Sequence, residues 1–203
     1  MIQHTVFKHG WFYHYRVHLL KTQKLTDNLP TLKRFLTDNF SNCPNDYFQQ
    51  GPRGSSLKMD LKIEPFKISG HEISESASVA PQNYKTAHSN VELFLLENDP
   101  YTLAVEVPLW LTSEEMNNYQ ATFNTDEPLT GHVDILRIED NKVWIWDYKP
   151  KAEKEKHAAT QVFFYSLMLS KRTGIPLSLI RCGYFDEQNA FVFSPHLWQQ
   201  NLQ

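Results

Sequence analysis

Two runs of β-forming residues, Val133 to Ile138 and Val143 to Trp146, are separated only by Glu139-Asp140-Asn141-Lys142, a spacing that dictates a tight antiparallel hairpin. Asp and Asn tolerate the left-handed backbone of a two-residue turn, so Asp140-Asn141 is the expected tip. With the turn there, Leu136 faces Ile145, Ile138 faces Val143, and Asp134 lies directly opposite Asp147. Side chains alternate between faces of a strand, so Lys149 projects to the same face two residues beyond Asp147, opposite His132. The other face carries Ile135, Trp144 and Trp146, with Arg137 among them, which predicts a sheet covered on both sides.

Two carboxylates held face to face repel unless a proton or a cation lies between them. Carboxylate oxygens are hard ligands suited to Mg²⁺ or Mn²⁺, ions that keep several waters and share their shell with substrate phosphates. Lys149 beside such a pair can orient or help deprotonate a metal-activated water, and its charge can steady a pentavalent phosphorane-like transition state. The arrangement therefore points to phosphodiester hydrolysis. Taken alone, an Asp-x-Lys is equally the mark of an ordinary strand-end ion pair, worth about 0–1 kcal/mol.

Around this hairpin the chain reads as mixed α/β. Residues 57–68 alternate apolar and polar, with Leu57, Met59, Leu61 and Ile63 on one side, which predicts a strand before Pro65. A loop is expected from Ser69 to Gln82, a helix from Tyr84 to Glu97, and a strand from Leu103 to Leu111. After the hairpin, a helix over Lys154 to Arg172 stops at Gly174 and Pro176. Leu179 to Phe185 and Ala190 to Phe193 form a second hairpin. The first 56 residues carry aromatics, histidines and a helical run near Leu32 to Phe40, and end in the turn-prone Gln50 to Ser56. They read as an extension packed on the main domain. His14 and His18 would share a face if their segment were helical, but Tyr13, Tyr15 and Val17 alternate as an aromatic-rich strand does.

No stretch approaches the roughly 20 apolar residues of a membrane span, and the start lacks a signal peptide, so a cytoplasmic protein with no membrane partner is expected. Cys43 and Cys182 are the only cysteines, and without CxxC spacing they read as buried, idle thiols. A net charge of −3 argues against nonspecific coating of nucleic acid, whose affinity comes from neutralising phosphates. Any such contact needs a local patch, for which Lys149 to His157 is the candidate, with Lys151, Lys154 and His157 flanking the proposed site.

Gly131-His132-Val133-Asp134, Asp147-Tyr148-Lys149 and Gln161-Val162-Phe163-Phe164-Tyr165 resemble the GxxD, (D/E)xK and QxxxY motifs of the RecB-like branch of PD-(D/E)XK nucleases. The resemblance implies a restriction-endonuclease-like αβββαβ core with helices flanking a mixed central sheet, here residues 57–203, behind the extension of residues 1–56. It implies Asp134 and Asp147 as metal-binding acids, the carbonyl of Tyr148 as a further ligand, and Lys149 as the catalytic lysine. Gln161 and Tyr165, four residues apart on one helix face, would support the lysine and contact DNA, with His157 one turn earlier. RecB-like members carry a histidine on a helix before the acids. His88 is the local match, and an imidazole ligand would tilt preference towards Mn²⁺. Glu106 occupies a strand position where related nucleases often carry an acid. Two cysteines do not match the four-cysteine iron–sulfur subset, and no nucleotide-binding motor motif is present, so a helicase or a repair or defence partner would be a separate protein.

The expectation is therefore a Mg²⁺- or Mn²⁺-dependent nuclease acting on single- or double-stranded DNA. Two alternatives stay open: an inactive nuclease-fold protein kept for DNA binding or assembly, and an RNA-directed enzyme of the same chemistry.

Overall fold

The computed structural model describes residues 1–56, 61–116 and 127–198. Ile2–Lys8 (β1) and Phe12–His18 (β2) form a hairpin, followed by helices Leu19–Leu25 (α1), Pro30–Asn42 (α2) and Tyr47–Gln50 (α3). Then come Phe66–Ser69 (β3), Glu72–Ser78 (α4), Ala87–Asn98 (α5), Thr102–Leu111 (β4), Ser113–Met116 (α6), Leu129–Glu139 (β5) and Lys142–Tyr148 (β6). Ala158–Thr173 (α7), Ile180–Phe185 (β7) and Asn189–Phe193 (β8) complete the described elements.

These strands form one mixed sheet in the order β1-β2-β4-β5-β6-β7-β8-β3. Only β6 and β7 are parallel among the described pairs. A parallel pair needs a crossover, and α7 supplies it. Apart from the one-turn α6 between β4 and β5, the run α5-β4-β5-β6-α7-β7 follows the expected αβββαβ order.

The β5–β6 hairpin has the expected register, Leu136 facing Ile145 and Ile138 facing Val143. Asp140 and Asn141 both have positive φ, 49° and 56°, as a primed two-residue turn requires. Apolar side chains fill both sides of the sheet. Val91 and Leu95 of α5 pack with Ile135, Trp146 and Phe185, while Val162 and Phe163 of α7 pack with Leu136, Ile145 and Val107. Helix α7 is buried nearly all round, because the sheet covers one side and α2 and the Gly54–Ser56 turn meet it elsewhere. It ends as expected at Gly174, whose left-handed backbone (φ 72°) lets its N–H reach the Ser170 carbonyl.

Four expectations need correction. Of the strand expected over 57–68, residues 57–60 lie outside the described residues, and Leu61 to Pro65 has no regular structure. Lys62 has φ 55°, which breaks an extended run, and Pro65 has no N–H to give a ladder. The strand forms beyond the proline, pairing with β8, while Ile63 is buried in the core for tertiary reasons. The expected loop from Ser69 to Gln82 contains α4, a single short helix capped by the His71 ring, which accepts the N–H of Ile73. The helix expected from Lys154 begins at Ala158, with only a 3-10 turn over Ala152–Lys154, so His157 is its N-cap rather than a residue on its face. Finally, residues 1–56 are more than a packed extension. They carry two strands into the sheet, where Arg16 pairs with Val105 and Val17 with Ala104.

Among the described residues no helix is long and apolar enough to cross a membrane. Both cysteines are free and buried.

Candidate active site

The ladders place three acids level across three neighbouring strands. Val105 pairs with Ile135 and Val107 with Val133, which brings Glu106 of β4 level with Asp134 of β5. Ile135 pairs with Trp146, which brings Asp134 level with Asp147 of β6. The β5–β6 ladder ends at that pair, and the Tyr148 N–H then donates to Asp134 Oδ2 at 2.8 Å. Glu106 departs from the pleat with φ 50°, a conformation that costs a non-glycine residue of order 1–3 kcal/mol, and its carboxylate receives the N–H of His14.

Helix α5 lies over this row. Thr86 caps it by accepting the Ser89 N–H at 3.1 Å, and the helical repeat sets His88 and Glu92 on one face. His88 Nε2 stands 3.8 Å from Asp134 Oδ2. Glu92 is buried in the same cavity wall, a fourth carboxylate that the sequence reading did not single out. Its spacing of four from His88 was the available signal.

From the strand side, Lys149 Nζ lies 2.6 Å from Asp147 Oδ2. From α7, the Gln161 amide donates to Asp147 Oδ1 at 3.0 Å and to the Tyr165 hydroxyl at 2.9 Å. Gln161 is only 7% exposed, so it faces the site rather than solvent. The Tyr165 ring fills the space that glycines leave at Gly54 and Gly131. A Cβ on either would stand 2.7 Å and 2.2 Å, respectively, from Tyr165 Cε1.

His88, Glu92, Glu106, Asp134, Asp147 and Lys149 line one open cavity of about 580 Å³, together with Gln161 and Tyr165. Tyr148, Lys151, Lys154 and His157 do not line it. The Tyr148 ring stands edge-on to His88, and the two lysines are exposed in the connection before α7. In the cavity wall, His132 stacks on Tyr13 at 3.6 Å, and its Nε2 is 2.9 Å from His9 Nδ1.

Burial holds every one of these carboxyls above its ordinary range. Asp147 is pushed up to about 6, by burial first and by the charge of Asp134 as well, against the opposing pull of Lys149. Burial raises Asp134, with His88, Lys149 and the Tyr148 N–H opposing, and it raises Glu106 against the His14 N–H and Arg16. Glu92 is raised well above its ordinary range, by burial and then by Glu106 and Asp134. Burial works to lower Lys149, but Asp147 and Asp134 outweigh it and the net shift is upward. Four acids around one lysine, Glu92 and Asp147 buried and Glu106 and Asp134 partly buried, form an oxygen-rich donor set whose negative charge a hard divalent cation would neutralise. Among the described residues no group of three or more His, Cys, Asp or Glu side chains is gathered closely enough to hold a metal ion.

The family model of the PD-(D/E)XK nuclease superfamily matches residues 72–203. The chain belongs to this superfamily. Its eight-stranded mixed sheet with flanking helices is consistent with the restriction-endonuclease-like fold. PD-(D/E)XK nucleases typically hydrolyse phosphodiester bonds and generally use divalent metal ions, so the superfamily brings nucleic acid and metal to this fold. No curated protein and no solved structure matches the chain. The β1–β2 hairpin and residues 53–56 lie outside the matched span, although Tyr13, Arg53 and Ser55 line the cavity.

Proposed function

We propose that this PD-(D/E)XK protein is a Mg²⁺- or Mn²⁺-dependent nuclease that hydrolyses DNA. The observation that carries this reading is the convergence of Asp134, Asp147 and Lys149 in one cavity, with Lys149 Nζ 2.6 Å from Asp147. Asp134 and Asp147 would hold the metal with help from Glu92, Glu106, His88 and the Tyr148 carbonyl. A divalent ion bound there supplies a nucleophilic water and neutralises phosphate charge.

The chain's own residues do the rest. Lys149, kept protonated by the acids beside it, would set a cation beside the phosphate as negative charge develops and could give its proton to the leaving oxygen. Gln161 fixes the rotamer of Asp147 through Oδ1 and leaves Oδ2 to the lysine side. Tyr165 in turn holds Gln161. Outside the cavity, Lys151 and Lys154, with His157 at the start of α7, would follow the phosphate backbone of bound DNA as it leaves. The three motifs support a RecB-like assignment and, with it, a cytoplasmic role beside a helicase or a repair or defence partner.

The test is cleavage of labelled single- and double-stranded DNA and RNA with and without Mg²⁺ or Mn²⁺. Metal-dependent DNA cleavage that Asp147→Ala and Lys149→Ala abolish, in variants folded by circular dichroism, is the expected result. Equal cleavage by these variants defeats the mechanism. Tight DNA binding with no cleavage by the parent chain returns the protein to an inactive, nucleic-acid-binding role.

A further inference from the structure

We propose that the tip of the β1–β2 hairpin is a base-stacking platform that selects single-stranded nucleic acid for the cavity. This rests on the nuclease reading above and narrows its substrate class.

Trp11 is 73% exposed and Phe12 58% exposed, and both line the cavity that holds the acids. Large aromatics are normally buried, and two adjacent exposed ones on the rim of a polar cavity call for an apolar partner. Tyr84, 52% exposed, joins the same rim with Lys85 from the separate segment that leads into α5.

The platform is anchored rather than loose. Directly behind Phe12, the Tyr13 ring lies flat on His132, with 4° between the planes, and its hydroxyl accepts from Arg53 Nη1 at 2.8 Å. The same guanidinium donates to the His9 carbonyl, and Gly10 turns with φ 72°. His9 stacks on Phe48 at 3.9 Å. The turn that presents Trp11 and Phe12 is thus held from beneath by residues of three other segments, so little ordering is needed on binding.

The chemistry of the occupant follows from the charges. With a net charge of −3, and with four acids set against Arg53, Lys85 and Lys149 in the wall, the cavity offers no net positive charge to draw in a phosphate backbone. Affinity must come from elsewhere, and unpaired bases offer the π-faces that exposed aromatics can cover. In a duplex those faces are already stacked on one another. A strand with its bases on Trp11 and Phe12 would lay its phosphates towards Lys85 and Lys149, beside the acids.

Fluorescence anisotropy of labelled oligo-dT, oligo-U and a duplex, on the full chain in EDTA, separates the possibilities. The single strands should bind more tightly than the duplex and quench tryptophan fluorescence. Trp11→Ala and Phe12→Ala should each weaken single-strand binding about tenfold, with the duplex unaffected. Both residues are exposed, so the variants should keep the parent's circular dichroism. Equal affinity for duplex, or variants that bind like the parent, would overturn the proposal. So would concentration-dependent self-association, by light scattering, that Trp11→Ala removes while oligonucleotide affinity stays the same. A parallel cleavage assay keeps the two readings apart. A chain that binds single strands through Trp11 but never cleaves supports the platform and defeats the nuclease, whereas cleavage indifferent to Trp11 and Phe12 defeats the platform alone.

Discussion

The ring of Tyr165 occupies the place where a side chain at Gly131 would begin, since a Cβ there would stand 2.2 Å from Tyr165 Cε1. That explains why a glycine precedes Asp134 by three residues. Its φ is unremarkable; what matters is the absence of a side chain under an aromatic ring. Gly131→Ala should therefore cost about 1–3 kcal/mol as overpacking and displace Tyr165 from Gln161. Urea unfolding checks this. In the double variant with Tyr165→Ala the penalties should be strongly non-additive, because removing the ring vacates the space that the new methyl needs.

Gln161 donates to both Asp147 Oδ1 and the Tyr165 hydroxyl. Gln161→Ala leaves two buried oxygens without that donor, for an expected cost of about 1–3 kcal/mol. Tyr165→Phe keeps the ring and the Gln161–Asp147 bond and should cost less. If activity reports the orientation of Asp147, it should fall further in Gln161→Ala than in Tyr165→Phe, measured per folded molecule.

The raised carboxyls give a signed pH dependence. Asp147 moves from an ordinary 3.8 to about 6, so its contribution to the stability of the metal-free protein is fully present below pH 3.8 and is lost as pH rises through about 6. A divalent cation competes with those protons. Its affinity should rise across the same window, and Mn²⁺ should raise the melting temperature more at pH 7.5 than at pH 5. Calorimetric melts with and without Mn²⁺ at both pH values decide it. An equal shift at the two pH values would show that these acids are not the ligands. Asp147→Asn should weaken both the metal-induced shift and its pH dependence.

Arg137 makes a prediction remote from catalysis. It is 1% exposed, with Nε 3.0 Å from Asp99 Oδ2, Nη2 donating to Glu72 Oε1 at 2.5 Å, and its guanidinium over the Tyr101 ring. Arg137→Ala takes the cationic partner from Asp99, which keeps the Tyr101 N–H and the Thr102 hydroxyl, and should cost about 3–5 kcal/mol, with Arg137→Met costing less because it keeps most of the volume. Cleavage per folded molecule should stay at the parent's level in the methionine variant, as thermal unfolding and activity measured together would show.

What could be read in the sequence was local. The β5–β6 register, the Asp140-Asn141 turn and the Gly174 stop each depend on residues within a few positions of one another, and each is found in the structure. What escaped depends on distant partners. Arg16 pairs with Val105 nearly ninety positions away, and nothing near Arg16 announces it. Glu92 reads as an ordinary polar helix residue until α5 packs over β4 and buries it beside Glu106 and Asp134. Leu61 and Ile63 imitate a strand, but the positive φ of Lys62 between them belongs to a segment folded over α7, where the Leu61 N–H reaches Thr160 Oγ1.

The seat of Tyr165 between Gly54 and Gly131 also bears on when the site can form during synthesis. The cavity draws on the hairpin around Tyr13, on Arg53, on α5, on three central strands and on α7, so its parts are made over most of the length of the chain. A ribosome that has released the acids but not Gln161 and Tyr165 carries a repulsive cluster with neither its clamp nor its packing. Only after α7 has emerged and settled against Gly54 and Gly131 are the acids, the lysine and the clamp held together. On the proposed nuclease reading, the nascent chain is harmless to the nucleic acid around it until α7 has emerged.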